Sequence, residues 1–158
     1  MTNNIGVGQP GDVDRGLYMQ RLLNPNATRS LYYVVCGNPT PKARVRFFKR
    51  HLWTPSAKKE GALASILKTH NLGKPFPSNV AVGCMFFRQD FRRVDVDNML
   101  KFVLDAATKA GMWEDDNQVT SVFSSVHYDK KNPRTLLVVC DHESTLIRGS
   151  ATAIDCVE

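Results

Sequence analysis

Four apolar runs of strand length set the limits on what this chain can become. They are Leu31 to Cys36, Asn79 to Phe87, Val119 to Tyr128 and Leu136 to Cys140, each bounded by the glycines, prolines or polar residues that end strands. Two of the intervals carry helical spacing. The first predicts a helix from a Ser56 cap to about His70, with Ala57, Leu63, Ile66 and Leu67 as core contacts and Gly61 lowering its intrinsic helicity. The second runs from about Asn98 to Ala110 and places Met99, Phe102, Val103, Ala106 and Ala110 on one face, with Gly111 set to end it. The resulting order, β-α-β-α-β-β, predicts an α+β fold in which one small mixed sheet is packed by two main helices. Asp129 to Pro133 reads as a hairpin turn between the last two strands, and Lys42 to Trp53 as a basic loop.

At 158 residues the chain suits a single core. Residues 1–28 are expected to form a flexible or loosely docked extension, 29–142 the folded domain, and 143–158 a tail. A hydrophobic content of 42% excludes wholesale disorder. No apolar stretch approaches the roughly 20 residues needed to cross a bilayer, and Met1 to Pro10 has no signal-peptide core, so no membrane partner is expected. Cys36, Cys84, Cys140 and Cys156 show neither C-x-x-C spacing nor neighbouring histidines, which argues against zinc. The first three lie in apolar runs and are expected to be small buried hydrophobes in a reduced, cytoplasmic setting.

The formal net charge of +6 points to a polyanionic partner. Lys42, Arg44, Arg46, Lys49 and Arg50 stand among Phe47, Phe48 and Trp53 with no acid between them. Such interleaving suits phosphate contact together with base stacking. Against this basic background stands an acidic cluster. Arg92-Arg93-Val94-Asp95-Val96-Asp97-Asn98 leads into the second helix, and Asp95 and Asp97 share a side in extended chain. Asp97 suits an N-cap, with Asn98 sharing that role. Lys101 lies one turn on and Asp105 and Lys109 continue the stripe. Glu114-Asp115-Asp116 follows the helix, so the chain must fold back for these carboxylates to converge.

Each feature has a plainer alternative: Asp97 as a helix cap only, Lys101 as an i,i+4 partner, Glu114-Asp115-Asp116 as a solvated loop. An EF-hand is excluded, because Met99 and Leu100 occupy the next ligand and glycine positions. The conjunction favours chemistry. Carboxylates gathered on a DNA-binding surface repel phosphate unless a cation intervenes, and Mg²⁺ takes a few carboxylates plus waters and phosphate.

These residues resemble the RusA family of Holliday-junction resolvases. Its pattern is D-x-D-N, a lysine three residues after the Asn, then D-A, a helix end, and W-x-D-D-x-Q-V. Here that is Asp95-Val96-Asp97-Asn98, Lys101, Asp105-Ala106, Gly111 and Trp113-Glu114-Asp115-Asp116-Asn117-Gln118-Val119, in the same spacing. Gly37-Asn38-Pro39-Thr40-Pro41-Lys42-Ala43-Arg44 is similar to the family's Pro-rich basic loop, and the similarity covers roughly residues 30 to 142. One departure is Val94, where a basic residue often precedes the first Asp; Arg92 and Arg93 stand just before it.

The resemblance implies a homodimeric endodeoxyribonuclease of a bacterial or phage-infected cell that cuts four-way junctions in recombination and repair. It implies Mg²⁺, with Mn²⁺ able to substitute. Asp95, Asp97 and Asp116 would be metal-binding catalytic carboxylates, and Lys101 a catalytic lysine offsetting charge on the phosphate. Asp115 would neighbour the site. Lys42, Arg44, Arg46, Arg92 and Arg93 are the expected DNA contacts. The alternatives are a nuclease of broader branched or flap preference and a catalytically silent branched-DNA-binding protein.

Overall fold

The computed structural model describes residues 8–44, 46–48, 51–71 and 73–143, with the backbone alone for Phe47, Phe48 and His51–Trp53. The expected aromatic side chains of the basic loop, together with Lys49, Arg50 and Cys156, therefore lie outside the described residues.

The elements are α1 (Asp12–Leu23), β1 (Ser30–Cys36), β2 (Arg46–Phe48), β3 (His51–Trp53), α2 (Ala57–His70), β4 (Val80–Arg88), α3 (Val96–Lys109), a 3-10 turn (Asp116–Gln118), β5 (Val119–Tyr128) and β6 (Arg134–Asp141). Four strands form one mixed sheet in the order β1-β6-β4-β5, so the expected α+β class and strand–helix order hold for the main sheet. Two additions lie outside that expectation. One is α1; the other is the small β2–β3 antiparallel pair, within the stretch expected to be a basic loop.

β4 is the centre of the sheet. All nine of its residues are buried, which is why it reads as a nearly unbroken apolar run rather than an alternating one. β6 pairs with it antiparallel and β5 parallel. A parallel neighbour requires a crossover, and α3 supplies it. The expected hairpin at Asp129 to Pro133 is thus corrected: β5 and β6 lie on opposite sides of β4. The segment carries the chain across the end of β4, where Asp129 N donates to Arg88 O at 2.8 Å and Gly37 N to Pro133 O at 2.9 Å. Local turn chemistry is the same in either case; only the partner of β5 distinguishes them.

The sheet is covered on both faces. Tyr33, Val82, Cys84, Phe86, Leu137 and Val139 face α2 and α3, where Leu67, Met99, Phe102, Ala106 and Trp113 complete one core. The alternate residues Tyr32, Val34, Ala81, Met85, Leu136 and Val138 meet Met19 and Leu23 of α1 in a second. Within the extension expected over 1–28, residues 12–23 thus form a helix packed on the sheet. Gly16 lets α1 approach the sheet, since a Cβ there would stand 2.6 Å from Tyr32 Cε2. Asp12 is buried and takes two hydrogen bonds from the Arg134 guanidinium, at 2.8 and 2.7 Å, while Tyr32 Oη donates to Asp12 O at 2.8 Å. Burial pushes the Asp12 carboxyl up, but Arg134, the Gln9 N–H and Arg15 outweigh it and hold it below the usual carboxylate range. The helix escaped notice because Val13, Leu17, Tyr18 and Leu22 are apolar yet exposed, so no single apolar stripe marks its buried side.

Cys84 and Cys140 are buried as expected, and burial pushes the Cys140 thiol up to about 11. Cys36 is exposed at the end of β1, against expectation, because the last residue of the strand runs past the core. No helix among the described residues is long and apolar enough to cross a membrane.

Candidate active site

α3 builds one wall of the site. Its apolar stripe (Met99, Phe102, Val103, Ala106, Ala107) is buried against the sheet and α2, which turns Asp97, Lys101 and Asp105 outward. The N-cap is Asp95, in extended conformation at φ −78°, ψ 122°, and not Asp97 or Asn98 as the sequence suggested. Its side chain makes no cap bond: the Asp95 carboxylate accepts from Asn98 Nδ2 at 3.1 Å instead. Asp97 therefore lies inside the first helical turn, and the shared side that two residues' separation would give in a strand does not apply to it.

Asp97, Lys101 and Asp105 line an open pocket with Leu100, Leu104, Asp116 and Val119. The chain does fold back, as convergence required. After Gly111, at φ 72°, closes α3, Trp113 is buried in the core and its Nε1 donates to Thr108 Oγ1 at 2.8 Å. The Thr108 hydroxyl is hydrogen-bonded in turn to the Asp116 carboxylate. This relay fixes Asp116 beside the last turns of α3. Thr108 lies roughly three turns beyond Asp97, about 16 Å of helical rise, so Asp97 and Asp116 occupy the two ends of the pocket and Lys101 stands between. Asp95 is not among the lining residues.

The other residues of the W-x-D-D-x-Q-V run act on the backbone. Asp115 accepts from Asn117 N at 2.7 Å and caps the 3-10 turn. Gln118 Oε1 accepts from Glu114 N and Asp115 N at 2.7 and 3.1 Å, and its Nε2 donates to Phe76 O and Ser78 O. Asp115 thus holds the turn that presents Asp116.

Asp95, Asp97 and Asp116 are exposed and offer only oxygen, the donor type that Mg²⁺ and Mn²⁺ take. Among the described residues no three acidic, histidine or cysteine side chains are gathered closely enough to cage a metal by themselves. Mg²⁺ commonly binds through one or two carboxylates with waters and substrate phosphate, and Asp97 and Asp116, at the two ends of the pocket, each offer one such carboxylate.

Arg44, Arg46, Arg92 and Arg93 are exposed, as DNA contacts must be. Lys42 is placed differently from these arginines. Its ammonium is turned inward, ion-paired with buried Glu60 and, at 2.7 Å, with Asp105, while Lys109 pairs with the other Glu60 oxygen. Desolvation would lower the Lys42 pKa, but its bonds to Asp105 and Glu60 prevail and raise it. Lys42 N also donates to Asn98 O at 2.8 Å, and Ala43 N to Ser56 Oγ at 3.1 Å. Lys42 pins the basic segment to α3 rather than extending toward a phosphate. Sequence reading missed Glu60; its only sign there was a lone acid following Lys58 and Lys59.

Residues 37–139 match the family described as Endodeoxyribonuclease RusA. Over 88 residues the chain is 33% identical to a crossover junction endodeoxyribonuclease RusA of Escherichia coli (strain K12), covering 51% of this chain and 72% of that one. The same identity and coverage relate it to the crossover junction endodeoxyribonuclease of Enterobacteria phage 82, and a Shigella sonnei (strain Ss046) protein of that name is 32% identical.

Proposed function

Because the chain belongs to the RusA family of endodeoxyribonucleases, and is thereby an enzyme that hydrolyses DNA, we propose that it resolves four-way DNA junctions by paired phosphodiester hydrolysis in recombination and repair. The observation that carries this reading is the single pocket that Asp97, Lys101 and Asp116 line from two separate parts of the chain. The relatives' name, crossover junction endodeoxyribonuclease, supports the junction as substrate.

Asp95 and Asp97 at the start of α3, and Asp116 at the other end of the pocket, would each offer a carboxylate to Mg²⁺ or Mn²⁺. When bound, such an ion supplies Lewis-acid polarisation of the phosphate and a water of lowered pKa. The chain's own residues do the rest. Lys101 sets a positive charge beside the scissile phosphate, where negative charge grows in the transition state. Leu100, Leu104 and Val119 give the pocket apolar walls that limit water around that charge. Asp105 is neutralised by Lys42 and so adds little repulsion.

Arg44, Arg46, Arg92 and Arg93 would contact flanking phosphates. A junction has two-fold symmetry, so paired cuts are most simply made by a C2 dimer. The exposed Val13, Leu17, Tyr18 and Leu22 of α1 offer apolar surface for a second copy. The alternatives are a nuclease with broader branched or flap preference and a silent branch-binding protein.

Asp97→Asn separates enzyme from silent binder. Asp97 is not the cap of α3 but an acid of its first turn, so losing its charge should cost the fold no more than about 1 kcal/mol. Cleavage should collapse while junction affinity holds or tightens. A folded variant that binds junctions and cuts at the wild-type rate would remove Asp97 from the chemistry.

A further inference from the structure

β4 and β5 run parallel and finish together, with Arg88 opposite Tyr128. The loops that leave them, 89–95 and 129–133, consequently start side by side. Phe91, in the first loop, is 80% exposed and belongs to neither core. Its ring stacks on Tyr128, itself 45% exposed, with centroids 3.8 Å apart and planes inclined by 21°. An exposed phenyl ring held flat against a second ring is already oriented to receive a third planar group.

The charges around this pair select the partner. Arg92, Arg93, Lys130 and Lys131 are exposed on the same two loops. Two of the three acids there are engaged inward: Asp90 with Arg88 at 3.1 Å and the Arg92 N–H at 3.0 Å, Asp129 with Arg134 at 2.7 Å and the Asn132 N–H at 3.0 Å; the third, Asp95, caps α3 at the far end of its loop. Around the ring pair the surface is therefore aromatic and cationic, with Asp90 and Asp129 neutralised. A second copy docked on this patch about a two-fold axis would bring like charges together. A nucleic acid supplies what both parts ask for, phosphates for the four cations and a planar base for the ring.

We propose that Phe91, backed by Tyr128, stacks on a base exposed at a DNA branch point while Arg92, Arg93, Lys130 and Lys131 hold the adjoining phosphates. In continuous duplex every base is covered by its neighbours; at a branch the end faces are open. The ring thus discriminates branched from plain DNA, four residues ahead of the Asp95 cap of α3. This rests on the nuclease reading and names the residue that gives it branch selectivity.

The test uses the full chain, without divalent metal, titrated onto a four-way junction carrying 2-aminopurine at the branch and onto duplex of the same length. Wild type should quench the branch fluorophore by stacking. Phe91→Ala and Phe91→Leu should abolish the quench and weaken junction binding by about tenfold, with duplex affinity unchanged. Thermal melts should coincide with wild type, because Phe91 supports no core. Quenching and junction preference that survive in both variants would overturn the proposal. So would a wild-type dimer that becomes monomeric on substitution, which would assign the ring to a contact between copies. Adding Mg²⁺ to the same samples reads cutting separately. A protein that quenches through Phe91 but does not cut would retain the platform and lose the nuclease reading.

Discussion

Asp115 and Asp116 are adjacent carboxylates with different tasks, and the difference is one of direction. Asp115 bends back to the Asn117 N–H, whereas Asp116 faces the pocket and is held by Thr108. Asp116→Asn keeps an oxygen for Thr108 and removes the charge, so it should leave the melting temperature near wild type and reduce cutting by on the order of a hundredfold or more. Asp115→Ala loses a cap worth about 1 kcal/mol and should lower the melting temperature, with a much smaller loss of cutting. Parallel melts and cleavage rates decide between them, and the reverse pattern would exchange their roles. At this scale the spacing of Asp97, Lys101 and Asp105 was legible, since i, i+4 repeats on a helix face must lie together. The inward turn of Lys42 was not. A lysine in a basic run looks the same whether it faces solvent or a buried acid eighteen residues away.

The elements with a strong apolar period were the ones the sequence displayed. α3 shows its stripe, and β5 falls at Val119–Tyr128 as expected. The pairing of β5 with β4 was hidden because strand neighbours are set by tertiary packing, and the turn chemistry at Asp129 to Pro133 is silent about it. α1 was hidden because its buried side is Asp12, Gly16, Met19 and Leu23, only two of them large and apolar, while Val13, Leu17, Tyr18 and Leu22 are exposed. Asp12→Asn would leave the Arg134 guanidinium buried with Asp129 alone, at a cost of about 3 kcal/mol.

The pH dependence follows. Asp12 is held below its ordinary range in the fold, so its stabilisation is complete above the unfolded carboxylate pKa and is lost as pH falls through the lower, folded one. Wild-type melting temperature should therefore fall on acidification below the usual carboxylate range, and Asp12→Asn should flatten that fall. Parallel acid profiles would show that Asp12 is not the group responsible.

For the molecule as a whole, the excess of positive charge matters through where it is free to act. Arg44 and Arg46 are exposed, while Lys42 is already neutralised by Glu60 and Asp105. Replacing both arginines with Ala should flatten the salt dependence of junction binding by about two units of log–log slope. Lys42→Ala should leave that slope unchanged. Filter-binding or anisotropy titrations across a salt series would read both, and an equal effect of Lys42 would mean that its ammonium leaves the acids to meet the DNA.

Junction cutting by the α3 pocket is the central claim, and mapping the cuts tests it most directly. A four-way junction labelled on each strand in turn is incubated with the protein and Mg²⁺, beside a flap and a plain duplex, with EDTA controls. Paired incisions placed symmetrically across the junction, absent in EDTA and scarce on duplex, are predicted. Cutting that persists in excess EDTA, or that falls equally on duplex, flap and junction, would contradict it.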